Sequence, residues 1–94
     1  MPIELQARIV RAQNVMTAPI DEEMVIFNLD KNNYVNLDDI GRRIWDLLAT
    51  PQLVSDLCQQ LSAEFDATLE QVTPDVLAFL NELQAENLVH VTNE

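Results

Sequence analysis

The sequence predicts an α+β domain in which a three-stranded antiparallel sheet is followed by three helices and a short terminal strand. Up to residue 37, β-branched segments are separated by turn residues, which is typical of short strands. After residue 37, apolar residues recur at helical spacing. Strands that are segregated from helices indicate the α+β class, and three helices beside a small sheet suggest a winged-helix-like arrangement. The length of 94 residues favours one domain over 1–94.

Three strands are predicted before the helices. Residues 8–20 contain β-branched residues and end near a proline, which predicts one short, irregular strand, and "DEE" at 21–23 predicts a turn. "MVIFNL" at 24–29 is apolar on both faces and predicts a central strand. "DKNN" at 30–33 predicts a hairpin turn, because Asn and Asp tolerate the left-handed backbone conformation. "YVNL" at 34–37 is then the returning strand.

The first helix is predicted immediately after "YVNL". Asp38 or Asp39 can cap it by accepting a hydrogen bond from a free N–H group of the first turn. Its apolar stripe is Ile40, Ile44, Leu47 and Leu48. Gly41 inside the helix costs about 1 kcal/mol relative to Ala, so we expect another backbone to approach closely there. "TP" at 50 and 51 is expected to end this helix and to open the second.

The third helix has two competing start signals. Thr68 and Gln71 form a capping-box pair, but Pro74 would break an established helix. We therefore expect a short turn at 69–72 and a main helix from 74 to about 86. After it, Asn87 is suited to the left-handed position that ends a helix, and "LVHV" at 88–91 predicts the terminal strand.

Catalytic chemistry is not indicated by the residues. The chain has one cysteine, Cys58, which lies on the apolar stripe of the second helix, and one histidine, His90, in the last strand. No cluster of metal ligands is visible, and a single glycine cannot build a phosphate-binding glycine loop. We therefore predict a protein that is not an enzyme and that has no cofactor or metal.

The charge distribution argues against nucleic acid as a partner. The net charge is −11, and from Ile44 to Glu94 there are nine Asp and Glu but no Lys or Arg. Such a surface repels phosphate, and the second and third helices have no basic residue with which to read DNA. The acidic surface serves either solubility or the attraction of a basic partner.

Targeting and membrane signals are also missing from the sequence. Apolar runs such as "MVIF" are far shorter than a membrane span. The first residues, "MPIELQARIV", lack the basic flank and long apolar segment of a signal peptide, and a lone cysteine cannot form an internal disulfide. These features predict a cytoplasmic protein without membrane contact.

Binding is the function class that remains, and the "YVNL" strand offers a place for it. An exposed strand edge invites aggregation and is normally blocked with Lys or Pro, and this strand has neither. Either the last strand or a helix covers the edge, or the edge accepts a peptide as an additional strand.

The most distinctive pattern is an aromatic-x-x-Leu strand that runs into a Gly-x-x-Ile-Trp helix, with Asp-Val-x-x-Phe-Leu-x-x-Leu in the third helix. It lies in "NLDKNNYVNLDDIGRRIWDLL" (28–48), "SDLCQQLSAEFD" (55–66) and "DVLAFLNELQAENLV" (75–89). These segments resemble the PqqD-like family, the recognition elements for ribosomally synthesised and post-translationally modified peptides. The resemblance extends over about residues 8–91.

The resemblance implies that the leader segment of a precursor peptide pairs with the third strand, in a groove walled by the third helix. It also implies a non-catalytic protein that hands the precursor to a partner protease or modifying enzyme. On this chain the strand is Asn33, Tyr34, Val35, Asn36 and Leu37. The helical wall is Val72, Val76, Phe79, Leu80 and Leu83.

Two departures bear on the pathway. Asn32-Asn33 stands where lasso-peptide members commonly have Gly-Arg, and "MVIFNLD" differs from the Pro-Glu-containing second strand of the member from quinone-cofactor synthesis. The resemblance then favours a lasso-peptide or an unassigned pathway. The alternative is a generic winged-helix interaction or regulatory domain that binds no leader peptide.

Overall fold

The computed structural model describes residues 3–21 and 23–92, and within them strands and helices form two small sheets packed on a helical layer. This confirms the α+β class, whereas the winged-helix description is approximate because the strands divide between two sheets. The elements are β1 (Arg8–Arg11), β2 (Val15–Ile20), β3 (Glu23–Asn28), β4 (Asn33–Leu37), α1 (Asp39–Leu47), β5 (Gln52–Leu53), α2 (Val54–Glu64), α3 (Leu69–Ala85) and β6 (Val89–Thr92).

The first sheet is an antiparallel meander in the order β2-β3-β4. The predicted central strand is confirmed as β3, which pairs with β2 on one side and β4 on the other. Asn32, in the turn between β3 and β4, has a φ of 59°, as the left-handed preference of Asn predicts. Asp21 also has a positive φ, of 56°, but the predicted turn at 21–23 includes residue 22, which lies outside the described residues.

The prediction of one strand over residues 8–20 is wrong. β1 belongs to a second sheet, in the order β5-β1-β6, and β2 belongs to the first. Between them Asn14 adopts a φ of 58°, which redirects the chain. The terminal strand β6 pairs with β1, so it does not cover the edge of β4.

The first helix starts as expected, and the second does not. Asp38 caps α1, since its Oδ1 accepts a hydrogen bond of 2.7 Å from the Gly41 N–H. The helix α2, however, begins at Val54 and not at Pro51. The intervening residues Gln52 and Leu53 form β5 and pair with β1, so a tertiary contact takes precedence over the local start signal.

The third helix is continuous, and the predicted break at Pro74 is wrong. The capping box of Thr68 and Gln71 is formed, and α3 runs from Leu69 to Ala85 with Pro74 inside it. Pro74 lacks the N–H that would bond the Glu70 carbonyl, but Glu70 is exposed in the first turn, where water can satisfy that oxygen. Asn87 takes the expected left-handed conformation after the helix, with a φ of 61°.

The core lies between the helices and the inner faces of both sheets. Cys58 is buried there, and burial raises the pKa of its thiol against a smaller opposing effect of a hydrogen bond with Thr73. The neutral thiol therefore packs as a small apolar group, as the sequence predicted. The largest fully buried side chains are Ile9, Ile26, Ile44, Leu48, Leu57, Leu61, Leu80, Leu83, Leu88, Val54, Val76 and Val89.

Candidate peptide-binding edge and groove

The side chains of β4 alternate between the core and solvent. Val35 and Leu37 are 7% and 2% exposed and point inward. Tyr34 is 63% exposed, and Asn36 is also exposed, on the outer face of the sheet. This is the period-two alternation of a strand with one buried face, and it places one row of side chains towards α3 and the other away from it.

Two hydrogen bonds show which residues of β3 direct their main-chain N–H and C=O groups towards β2 and which direct them towards β4. The Leu29 N–H donates to the Asn14 carbonyl at 2.9 Å, on the β2 side of the sheet. The Asn28 carbonyl accepts from the Asn32 N–H at 2.9 Å, on the β4 side. Because the main-chain groups of successive residues face opposite edges of a strand, odd-numbered residues of β3 face β2 and even-numbered residues face β4.

The orientation of the main-chain groups of β3 determines which residues of β4 direct their own N–H and C=O groups away from the sheet. Ile26, an even-numbered residue, is paired with Val35, so the N–H and C=O of Val35 belong to the ladder. Leu37, two residues later, also faces β3. The main-chain groups of Tyr34 and Asn36 therefore point to the open edge of the sheet, where an additional strand could bond them.

The helix α3 runs alongside β4. Near the start of the strand, the Asn33 side-chain amide donates to the Glu86 carbonyl at 3.5 Å. Near its end, Phe79 packs on the first turn of α1, where a Cβ on Gly41 would lie 3.2 Å from both Phe79 Cζ and Asp38 Oδ1. Gly41 therefore makes room for two side chains, and the expectation of a close backbone approach is wrong.

A pocket of about 530 Å³ opens between the end of β4 and α3. We call it the edge pocket. Its wall combines Phe79 with the end of the strand and several acidic residues, and none of the described residues that line it is basic. The lining residues are Glu23, Asn36, Leu37, Asp38, Asp39, Phe79 and Glu82.

A smaller hollow of about 100 Å³ lies between α1, α2 and the first half of α3. We call it the apolar hollow. Ile40, which the sequence places on the apolar stripe of the first helix, and Phe65, which follows α2, are 42% and 43% exposed at its rim. No local signal distinguishes these two positions from core positions. The lining residues are Ile40, Leu61, Phe65, Ala67, Gln71, Val72, Asp75 and Val76.

The structure brings together only part of the predicted site. Asn36, Leu37 and Phe79 meet at the edge pocket, whereas Val72 and Val76 line the apolar hollow. Val76, Leu80 and Leu83 are 1%, 0% and 0% exposed, so these three side chains belong to the core and present almost no surface to a peptide. Tyr34 lies on the outer face, where its ring is 6.2 Å from that of Phe27. Nothing in the sequence pattern assigns the acidic residues of the edge pocket to the site.

Residues 23–89, more than two thirds of the chain, match the sequence model of the family described as Coenzyme PQQ synthesis protein D (PqqD). The chain belongs to the PqqD family. This confirms the family indicated by the sequence pattern. No curated protein matches the PqqD-family chain significantly in the sequence comparison.

Two solved structures have the fold of this PqqD-family chain. One, described as "TbiB1 in Complex with the TbiA(beta) Leader Peptide", is 28% identical with a TM-score of 0.77, covering 90% of this chain and 99% of that one. The other, described as "Lasso peptide synthetase B1 complexed with the leader peptide", is 18% identical with a TM-score of 0.69, covering 87% of this chain and 96% of that one. The second likeness shows the fold alone.

Metal binding and membrane insertion have no structural support in the described part of this PqqD-family chain. Within residues 3–21 and 23–92, no three His, Cys, Asp or Glu side chains are grouped closely enough to hold a metal ion. No helix in the same residues is long and apolar enough to cross a membrane.

Proposed function

We propose that this protein binds the leader segment of a ribosomally synthesised precursor peptide as an additional strand along β4. The observation that carries the proposal is the open edge, at which no strand of the described residues pairs with the main-chain groups of Tyr34 and Asn36. The similar structure of TbiB1, which was solved with a leader peptide, supports the same class of ligand. The bound precursor is then presented to a partner maturation enzyme, either a protease or a modifying enzyme.

Strand addition explains how the site would gain affinity. Two residues of β4 offer an N–H and a C=O each, and a typical hydrogen bond contributes about 0.5–1.5 kcal/mol net. These bonds are independent of the peptide's sequence, because they involve only main-chain groups. Selectivity must therefore come from side chains of the peptide that meet the walls of the groove.

The register of an added strand decides which peptide side chains meet α3. Side chains opposite Val35 and Leu37 lie on the inner face of the sheet, towards Phe79 and the edge pocket. Side chains opposite Tyr34 and Asn36 lie on the outer face. Beyond the strand, the apolar hollow beside Ile40 is suited to an apolar residue flanking the paired segment.

We further propose that the protein acts by binding alone, in the cytoplasm, as a single recognition domain over residues 1–94. The buried Cys58 supports a non-catalytic role, because burial raises the pKa of its thiol and disfavours the nucleophilic thiolate. Residues 1, 2, 22, 93 and 94 lie outside the described residues. We extend the proposal to a lasso-type precursor. The sequence resemblance favours either this pathway or an unassigned one.

The proposal is tested by selecting a display library of randomised peptides on the immobilised protein, with the TbiA(beta) leader peptide as an additional probe. Amide hydrogen exchange is then measured with an enriched peptide bound. We expect new protection of the Tyr34 and Asn36 N–H groups, while Val35 keeps the protection that it already has in the free protein. Enriched peptides that protect amides elsewhere and leave this edge unchanged would instead support a generic interaction domain.

A further inference from the structure

The edge pocket beside the open strand is lined by four acidic residues. Glu23, Asp38, Asp39 and Glu82 line it together with the ring of Phe79. Within residues 3–21 and 23–92, none of these four carboxylates is paired with a basic side chain. In the same described residues, no three of them are grouped closely enough to hold a metal ion.

The basic side chains of the structure that have defined partners are engaged elsewhere. Arg43 forms an ion pair with Glu64 at 2.7 Å, and the guanidinium of Arg11 lies 4.5 Å from the centre of the Trp45 ring. A peptide strand added along β4 would cover the edge pocket and remove water from its carboxylates. Burying a charged group without a partner is unfavourable, and a positively charged occupant offsets this cost best because several carboxylates line the pocket.

The geometry fixes where such a charge would enter. A peptide residue paired with Leu37 directs its side chain to the inner face of the sheet, which is the side of α3. The long apolar stem of Lys or Arg could then lie along Phe79, whose ring also attracts a cation. The charged end would lie among the carboxylates of Asp39 and Glu82 at the mouth of the pocket.

We infer that the bound peptide carries a lysine or arginine at the position paired with Leu37, and that the edge pocket selects for it. This inference rests on the function proposed above and adds the chemistry of the ligand. It assigns Asp39 and Glu82, which are exposed and outside the core, as specificity-determining residues. The acidic surface then attracts a basic partner in addition to aiding solubility.

The experiment repeats the selection of randomised peptides on three proteins. These are the wild type, the double variant Asp39→Asn/Glu82→Gln, and the control Glu4→Gln/Asp56→Asn, which removes the same charge at exposed residues that do not line the pocket. We expect Lys or Arg to be enriched at one peptide position on the wild type and the control, and no such enrichment on the pocket variant. Circular dichroism verifies that all three are folded.

A second measurement needs no protein variant. Replacing the enriched basic residue of a selected peptide with norleucine keeps the apolar stem and removes the charge. We expect binding to the wild type to weaken on the order of tenfold, from the combined effect of several carboxylates that each contribute modestly.

The outcomes separate this inference from the function on which it rests. Peptides that protect Tyr34 and Asn36 but show no basic preference, or a preference that survives in the pocket variant, would overturn the inference alone. An unchanged affinity of the norleucine peptide would overturn it as well. If no selected peptide protects this edge, the proposed function itself fails.

Discussion

The two outer edges of the β2-β3-β4 sheet differ in whether a proline occupies a position whose main-chain nitrogen faces outward. In β2, Ala18 is paired with Val25, an odd-numbered residue of β3, so even-numbered residues of β2 face the sheet. Pro19 is therefore positioned with its ring nitrogen, which has no hydrogen, at the outer edge. In β4 the corresponding outward positions are Tyr34 and Asn36, and both retain their N–H groups.

This difference indicates that the two edges have different roles. Proline at an outward position blocks pairing with another chain without weakening the sheet itself. The sheet is thus protected on the β2 side and open on the β4 side, next to the groove formed by α3. An edge left open beside a pocket, while its counterpart is blocked, supports binding and argues against an accidental exposure.

The largest effect is expected from placing a proline at an inward position of β4. Val35→Pro removes an N–H from the ladder with β3 and disturbs a side chain that is 7% exposed. We expect a loss of roughly 3 kcal/mol or more in the free energy of unfolding, measured by chemical denaturation. A Val35→Pro protein as stable as the wild type would show that the Val35 N–H faces the open edge and that Tyr34 and Asn36 face β3.

Asn36→Pro is the matched substitution at an outward position, and it gives β4 the same kind of block that Pro19 gives β2. The variant should keep its fold by circular dichroism, since the lost N–H makes no bond within the sheet. Peptide binding should weaken at least about tenfold, about 1.4 kcal/mol, as measured by calorimetry with a selected peptide. Unchanged affinity would mean that the peptide does not add at this edge.

Phe79→Ala tests whether the open edge depends on its wall. Phe79 is only partly buried, so we expect affinity for a selected peptide to fall about tenfold with a modest loss of stability. The adjacent Leu80→Ala is the control, because Leu80 is 0% exposed and its truncation should cost about 2–5 kcal/mol of stability. A large drop in melting temperature for Phe79→Ala, with unchanged affinity of the folded fraction, would place Phe79 in the core.

The smallest effect on binding is expected from opening the blocked edge. Pro19→Thr restores an outward N–H in β2, and leader-type peptides should bind with affinity unchanged within about twofold, because the groove lies on the other side. Self-association should increase with concentration in analytical ultracentrifugation, since the edge is no longer protected. A new peptide site at β2 would show that any open edge of this sheet binds, with or without α3.

The sequence was informative where local chemistry decides the structure. The Asp38 cap, the left-handed Asn32 and Asn87, and the alternation along β4 all follow from the residues themselves. The errors concern long-range pairing. The separation of β1 from β2, and the pairing of Gln52 and Leu53 with β1, depend on contacts that local propensity does not report.

The family pattern predicts the edge strand and Phe79 as site residues, and this assignment stays a prediction. The pattern does not separate exposed residues from core residues on α3. Leu80 and Leu83 carry the same apolar character as Phe79, and only the rotation of the helix puts them in the core. The edge pocket joins residues of β3, β4, α1 and α3, which are distant in the sequence, so its acidic wall cannot be predicted from local patterns.

The pairing of β1 with β6 has a consequence for how the domain can be joined to other proteins. Thr92, the last described residue, lies opposite Arg8 in a sheet that takes no part in the groove, whereas the Ile3 N–H at the other end donates to the Asn81 side chain of α3 at 3.0 Å. A tether attached after β6 would therefore leave the open edge accessible. A covalently linked enzyme would then meet the captured precursor at a raised effective concentration, without any contact having evolved between the two proteins. The fold is therefore suited to exchange between free-standing and fused forms.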